Sequence, residues 1–568
     1  MTITEVDEGQ SGVGPPRWLA ASLEVKEGRD PLGLQTTTQD RLMPRLLPGI
    51  LELSRRARYF SFHAYLLDRY RELRFPAEAQ SLSTFIKARE WEYGLAVLNC
   101  PHDCGSVPVG AQSLRGIVGH QDPPYPRGQS VESTFGGYGL YYRSPLADLG
   151  IVARAGTLLG DTPIPVDVLY DTYRARRLAD TFRGAVADTE YVTAWMLTTD
   201  PIPLDVLVEY ARVGCLCQLA NHPAERDAVH DALFGDNPVD TSARAAASSD
   251  SEARPDETDA DLGGSSTGAP GLAVVQRRRS VAHYLTIVDA YPAVVDDEGA
   301  YREALWAPGS LRSPDHERVA GEWAALVAKD AWQDALCSVW AEFCRAGVDA
   351  THARDGAGLA WEETRGIACR MTMGPPHLDP EMPTTDLAAS VLDGAIGLPG
   401  VVDGPLTDAT LDALRSGTVA LDTATSGLVV ILELSRRARG RTDPGWAEFS
   451  AIRSAWQPSV ASVIQGVTSH LADAPTIADT LWWLVHHFVL GVHERIAYSK
   501  LPEHTFRFRW EDGLVHFYDN GIGRFPLAAV RNAPLAFITQ DLDFWERDSE
   551  GAAALTDTGG AFITEMLP

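Results

Sequence analysis

Lysine is nearly missing from this chain. Of 49 basic residues only Lys26, Lys87, Lys329 and Lys500 are lysines, and none follows a glycine. A phosphate-cradling loop of the Gly-x4-Gly-Lys-Ser/Thr type therefore has no lysine to offer, which excludes a P-loop nucleotide partner. Positive charge is scarce as a whole: 49 Lys+Arg face 77 Asp+Glu, a net charge of -28. Such a surface repels bulk nucleic acid and anionic lipid unless basic groups are locally concentrated. Cysteine is sparse and odd in number, seven in 568 residues, which does not make a disulfide framework. No run of about 18 uncharged apolar residues exists. The nearest, 481–492, is interrupted by His486 and His487. Residues 1–16 lack the basic-then-apolar order of a signal peptide. The expectation is a cytoplasmic protein with no membrane partner. Also missing are Gly-x-Ser-x-Gly, His-Glu-x-x-His and the dinucleotide fingerprint. Glu24-Val25-Lys26 has the spacing used in two-metal nucleases, but no acid on a convincing preceding strand accompanies it.

What is present is ordinary globular composition, 45% hydrophobic and 22% charged, in a chain long enough for several domains. Residues 236–270 carry acids and small polar residues but almost no large apolar side chain, so they read as a disordered linker or surface loop. We expect a helical domain over 17–235, another over 271–372 that can pack with the first, and a C-terminal one over 386–568. Weaker breaks fall at the Pro-rich 373–385 and near 440–444. The fold class is mainly α, a multi-domain helical protein with a small C-terminal α+β portion. Leu53, Ala57, Phe60, Ala64 and Leu67 recur at helical spacing, as do Val319, Trp323, Leu326, Trp332, Leu336, Val339 and Phe343. Ser313-Pro314-Asp315 starts the second of these helices and Gly347 stops it. Further helices are expected over 84–98, 203–219, 281–291, 450–463 and 477–497. A hairpin is expected over 505–518, where Phe506, Phe508 and Trp510 alternate with arginines and Asp512-Gly513 supplies the turn. A second short ribbon or loop is expected over 136–142. The nonapeptide ILELSRRAR occurs twice, at Ile50–Arg58 and Ile431–Arg439. The likeness ends at both edges, so it reads as coincidence between amphipathic helices rather than a duplicated domain.

Three constellations could carry chemistry. Arg55, Arg58, Phe62, Tyr65 and Arg69 form a stripe beside the apolar face of the first helix. Arginines interleaved with aromatics suit phosphate contacts plus base stacking, and equally suit a central helix whose arginines pair with carboxylates. Cys100, His102 and Cys104, with Cys215, Cys217 and His222, offer the thiolates and imidazoles of a zinc site. On the expected 203–219 helix, Cys215 and Cys217 would point to different faces. The expectation is therefore that the two cysteine pairs do not converge. His486, His487, His493, Glu494, His504 and His516 crowd the C-terminal third. Among them His493, Glu494 and His504 are the candidates for acid–base or metal chemistry, although Trp482, Trp483 and Phe488 point to a packed helix. His230-Asp231 is a lone pair, too little for a metal phosphohydrolase.

Asp30-Pro-Leu-Gly-Leu-Gln35, Leu47-Pro-Gly49 leading to Arg58-Tyr-Phe-Ser-Phe62, Gly136-Gly-Tyr-Gly-Leu-Tyr-Tyr-Arg143 and His493-Glu-Arg-Ile-Ala-Tyr-Ser-Lys-Leu-Pro502 together resemble uncharacterised bacterial helical proteins encoded near phage-defence genes. The resemblance implies an accessory or sensor protein of a multi-gene system and assigns no activity, cofactor or catalytic residue. Two functions follow as expectations. The first is a non-enzymatic binding or scaffold component that contacts nucleic acid or a protein partner. The second is a metal-dependent hydrolase or nuclease using the C-terminal His/Glu cluster.

Overall fold

A computed structural model describes residues 30–102, 104–129, 131–235, 270–306, 311, 313–373, 378–392, 423–439, 441–501, 504–519 and 527–568. The linker expected over 236–270 lies, but for its last residue, outside the described residues, as does Glu24-Val25-Lys26. The protein is mainly α-helical, with short two-stranded pairs. Among the described residues no helix is long and apolar enough to cross a membrane.

Its axis is the helix Pro314–His352, 39 residues and so about 58 Å long. Ser313 caps it by accepting the His316 N–H, and Asp315 and Glu317 lie in its first turn. It is buried nearly all round, polar residues such as Lys329, Asp330 and Gln333 included, and Trp323, Trp332 and Trp340 are fully buried. A helix of that kind has to be wrapped by others. The wrapping elements are Ala424–Ala438, Pro444–Ser450, Glu298–Trp306, Pro270–Ala290 and Trp361–Arg370. One crossing is so close that it needs glycine: a Cβ on Gly427 would lie 2.5 Å from the Ala335 carbonyl oxygen. Glu322 accepts from Gln276 and pairs with Arg318 near the start of the long helix.

The N-terminal helices Arg58–Glu72, Ala79–Leu98, Tyr173–Val186, Leu204–Gly214 and Pro223–Phe234 close around a second aromatic centre. Phe62 stacks on Tyr93 at 4.2 Å, and Phe182 meets both. Arg277 ties this group to the rest by donating to the Leu233 and Pro48 carbonyls at 2.6 and 2.8 Å. Apolar contacts run without a break from Leu32 to Leu567, in one connected core.

The hairpin forms where expected, as Phe508–Glu511 paired antiparallel with Leu514–Phe517, Trp510 opposite Val515. Asp512 and Gly513 both take positive φ, 51° and 81°, the left-handed pair that a tight two-residue turn requires. Other expectations need correction. Residues 138–142 form a widened helical turn, not a ribbon. The helix expected over 450–463 is broken: one ends at Ser450 and the next begins at Val460. Pro458 lies in the gap; it lacks an N–H and disfavours helical geometry in the residue before it. The first helix starts at Arg58 and not near Leu53, which is exposed in the preceding turn. The nonapeptide is therefore irregular in its first copy up to Ala57 and helical in its second up to Ala438, the last residue of Ala424–Ala438. Identical residues in two tertiary settings take two structures, which argues against duplication.

Candidate metal centre

Cys100 and Cys104 follow the C-terminus of Ala79–Leu98, and Cys215 and Cys217 follow that of Leu204–Gly214. The two pairs converge. The Sγ atoms of Cys100 and Cys217 are 3.8 Å apart, those of Cys104 and Cys215 3.7 Å, and all four lie within 4.8 Å of one another. Sulfurs each ~2.3 Å from one tetrahedral ion stand ~3.8 Å apart, which the Cys100–Cys217 and Cys104–Cys215 separations match, so the four are close enough to share one zinc ion. The spacing is far beyond a sulfur–sulfur bond of ~2.05 Å, and all four cysteines are free.

This overturns the expectation of divergence, and the reason is local. The helix stops at Gly214 and Cys215 turns extended, φ -61° and ψ 150°. Cys217 then lies in a tight 3-10 turn, Leu216–Asn221. The break brings round two sulfurs that a continuous helix would have sent to different faces. Each pair is also a knuckle. The His102 N–H donates to the Cys100 sulfur and the Cys217 N–H to the Cys215 sulfur, both two residues on. Gln218 Nε2 donates to the Cys217 sulfur at 3.2 Å. These donors orient ligand sulfurs and disperse their charge. The hydrogen bond from Cys215, with help from Gln218, pulls the Cys217 thiol down, and the same bond pushes Cys215 up. Burial pushes Cys100 up to about 11. A dication would replace the protons that the cluster now shares.

The surroundings hold the knuckle still. Arg58, fully buried, donates through Nη1 to the Cys215 carbonyl at 2.5 Å. Its other nitrogens meet both Glu225 oxygens, Nε to Oε1 at 3.1 Å and Nη2 to Oε2 at 2.8 Å. Ser61 donates to Glu225 at 2.6 Å, and Tyr93 Oη to the Gly214 carbonyl at 2.9 Å. On the other side Cys104 Sγ contacts Ser106 Oγ at 3.2 Å, and Ser106 accepts from Arg56, which forks onto Asp541 near the C-terminus.

The remaining candidates fall elsewhere. His102 is exposed, and the half-buried His222 has Nε2 3.2 Å from the Val213 carbonyl; neither joins the sulfur group. Arg58, Phe62 and Tyr65 are buried in the core, so they offer no surface to a nucleic acid. Arg55 precedes the helix and lies beside Glu52, while Arg69 lies beside Glu72. The continuous basic and aromatic stripe thus does not exist as a surface. His493 is buried, with Nδ1 3.2 Å from the Pro31 carbonyl and Nε2 accepting the Arg507 N–H at 2.8 Å. Burial pushes it down to about 3. Both ring nitrogens are committed to backbone, and His493 works as a brace, not as an acid–base group. His504 is buried against Phe506 and Tyr518. Glu494 takes the backbone N–H of Trp510. Among the described residues, His493, Glu494 and His504 form no convergent ligand group. The residues missed from sequence are the supporting ones, Gln218, Ser61 and Glu225. Gly214 was the available signal, since glycine at a helix end marks a stop. No protein-family model, curated protein or solved structure matches the chain.

Proposed function

We propose that this protein is a non-enzymatic scaffold whose N-terminal helical body is fastened by a structural zinc ion on Cys100, Cys104, Cys215 and Cys217, and which acts by binding a protein partner. The observation that carries the reading is the closed set of four sulfurs. Four protein ligands leave a tetrahedral ion no position for water or substrate, whereas catalytic zinc keeps one open. The ion would join two chain segments separated by more than a hundred residues of sequence. A protein partner is favoured over nucleic acid by the net charge of -28 and by the burial of Arg58, Phe62 and Tyr65. On the resemblance noted above, the setting we propose is a bacterial multi-gene defence system.

The test compares protein carrying zinc with protein stripped by a strong chelator. The reading expects a large loss of melting temperature on stripping, recovery with zinc, and loss of partner binding in parallel with loss of fold. Metal-dependent hydrolysis of nucleic acid or a phosphoester, abolished by Cys104→Ser, would contradict it.

A further inference from the structure

Far along the chain from the cysteines, a cavity of about 270 Å³ opens between the hairpin and the helices beside it. Three elements build its walls. Strand alternation puts Phe508 and Trp510 on one face of the hairpin, with Val515 opposite Trp510. Trp361 stands at the first position of Trp361–Arg370. The widened turn Val485–Leu490, running into Gly491–Ser499, brings His486, Gly491 and Glu494 to the same wall. Such widened turns recur at functional sites because they break the even helical register.

The chemistry of the walls is specific. The Trp361 ring is set at 76° to Trp510, centroids 5.3 Å apart, and at 76° to His486, centroids 5.8 Å apart. Trp482 backs Trp361 at 5.1 Å. Perpendicular aromatic rings make the corner of a box. Glu494 is the one ionisable carboxylate on the lining, and the N–H of Trp510 binds it, which fixes it beside that ring. Burial and the neighbouring His487 lower the His486 pKa. Elsewhere the protein covers tryptophans with its own arginines: Arg441 lies over Trp306 and Trp446, and Arg547 over Trp545. Among the described residues no Lys or Arg covers Trp361 or Trp510.

We propose that this aromatic box with its single carboxylate binds an organic ammonium group, quaternary or methylated. The positive charge would rest on the indole faces, the methyl groups would fill the apolar corner, and Glu494 would supply the counter-charge. The head group belongs either to a free small ion or to a methylated lysine side chain of a partner. The cavity is near the small end for ligand sites, which suits a head group rather than a large molecule. The box shares no residue with the cysteine cluster, so its test stands apart from that of the zinc reading.

The experiment titrates the full chain, as purified, with choline, with tetramethylammonium and with a short peptide carrying trimethyl-lysine, read by tryptophan fluorescence and calorimetry. The controls are 3,3-dimethylbutan-1-ol, which is choline's shape without its charge, and the unmethylated peptide. The expected result is saturable binding of the ammonium probes, about tenfold or more tighter than of the neutral alcohol. Free ions alone binding assigns a small-molecule ligand, and a clear preference for the methylated peptide assigns a side chain. Trp361→Ala should abolish binding and Glu494→Gln should weaken it several-fold. Gly491→Leu is the folding-independent variant: a Cβ there meets nothing within 4 Å, so the side chain can enter the cavity without disturbing the cage. It should block binding while the melting temperature holds. Equal binding of choline and the neutral alcohol, no saturable binding of any ammonium probe up to about 10 mM, or unchanged binding by Gly491→Leu would overturn the proposal.

Discussion

Arg58→Ala separates the two readings of the first helix, and its cost can be worked from the geometry. The guanidinium is fully buried and forked onto Glu225, itself 1% exposed. Removing it leaves a buried carboxylate with the Ser61 hydroxyl as its remaining side-chain donor among the contacts described. Stranding one partner of a buried pair costs about 3–5 kcal/mol. Loss of the bond to the Cys215 carbonyl adds about 1 kcal/mol. The double change Arg58→Met with Glu225→Leu removes both charges and keeps most of the volume, so it should cost under about 2 kcal/mol. Urea unfolding at fixed, saturating zinc measures all three proteins. Because Arg58 holds the knuckle carbonyl, zinc transfer to a coloured chelator should also run about tenfold or more faster in Arg58→Ala. The reasoning fails if Arg58→Ala unfolds within about 1 kcal/mol of the unchanged protein, or if the double variant is as damaged as the single one.

Three further outcomes follow from buried groups. His63, His283 and His493 are each pushed down to about 3 by burial, so the folded chain keeps them neutral while the unfolded chain protonates them below its ordinary value of 6.5. Their contribution is full above pH 6.5 and is lost as pH falls towards 3, by up to about 1.4 kcal/mol per pH unit for each group; unfolding across pH 4 to 7 measures the slope, and a flat profile contradicts it. Glu90 runs the other way. Burial pushes it up to about 8, although the Gly137 and Tyr138 N–H groups donate to it, so its contribution is greatest below 4.5 and is lost as pH rises from 4.5 to about 8. Glu90→Gln should remove that part of the slope, up to about 1.4 kcal/mol per pH unit, leaving the variant relatively more stable at pH 8 than at pH 5. Gly427→Ala drives a methyl against the Ala335 carbonyl and should cost about 1–3 kcal/mol in denaturant unfolding, whereas a neutral change would mean that the two helices separate freely.

The parts of the fold legible in the sequence are those that repeat a period long enough to average out local exceptions. The Trp323–Trp332–Trp340 helix announced itself by spacing and cap, but Gly347 does not stop it: the helix runs on to His352, and the glycine makes room for the Phe517 ring. The hairpin announced itself by alternation around Asp512-Gly513. Single breaks were less legible. Pro458 splits an expected helix, and Ile50–Arg58 and Ile431–Arg439 differ in structure despite identical residues, because neighbours and not propensity decide there. The metal centre was half legible. The ligand types stood out, but the expected helix was carried to residue 219, past its end at Gly214, and that error pointed Cys215 and Cys217 apart. Burial could not be read from the Arg/aromatic pattern, since a phosphate-binding face and a paired core helix use the same residues.

The most direct test of the zinc centre is the metal content of protein purified without chelator, with reactive thiols counted before and after denaturation. The account predicts one tightly held zinc ion per chain. It also predicts slow modification of Cys100, Cys104, Cys215 and Cys217 until the ion is removed, and loss of the ion in Cys104→Ser and Cys215→Ser. Freshly reduced, folded protein that takes up no zinc, or that keeps its zinc when both of those cysteines are replaced together, would contradict it.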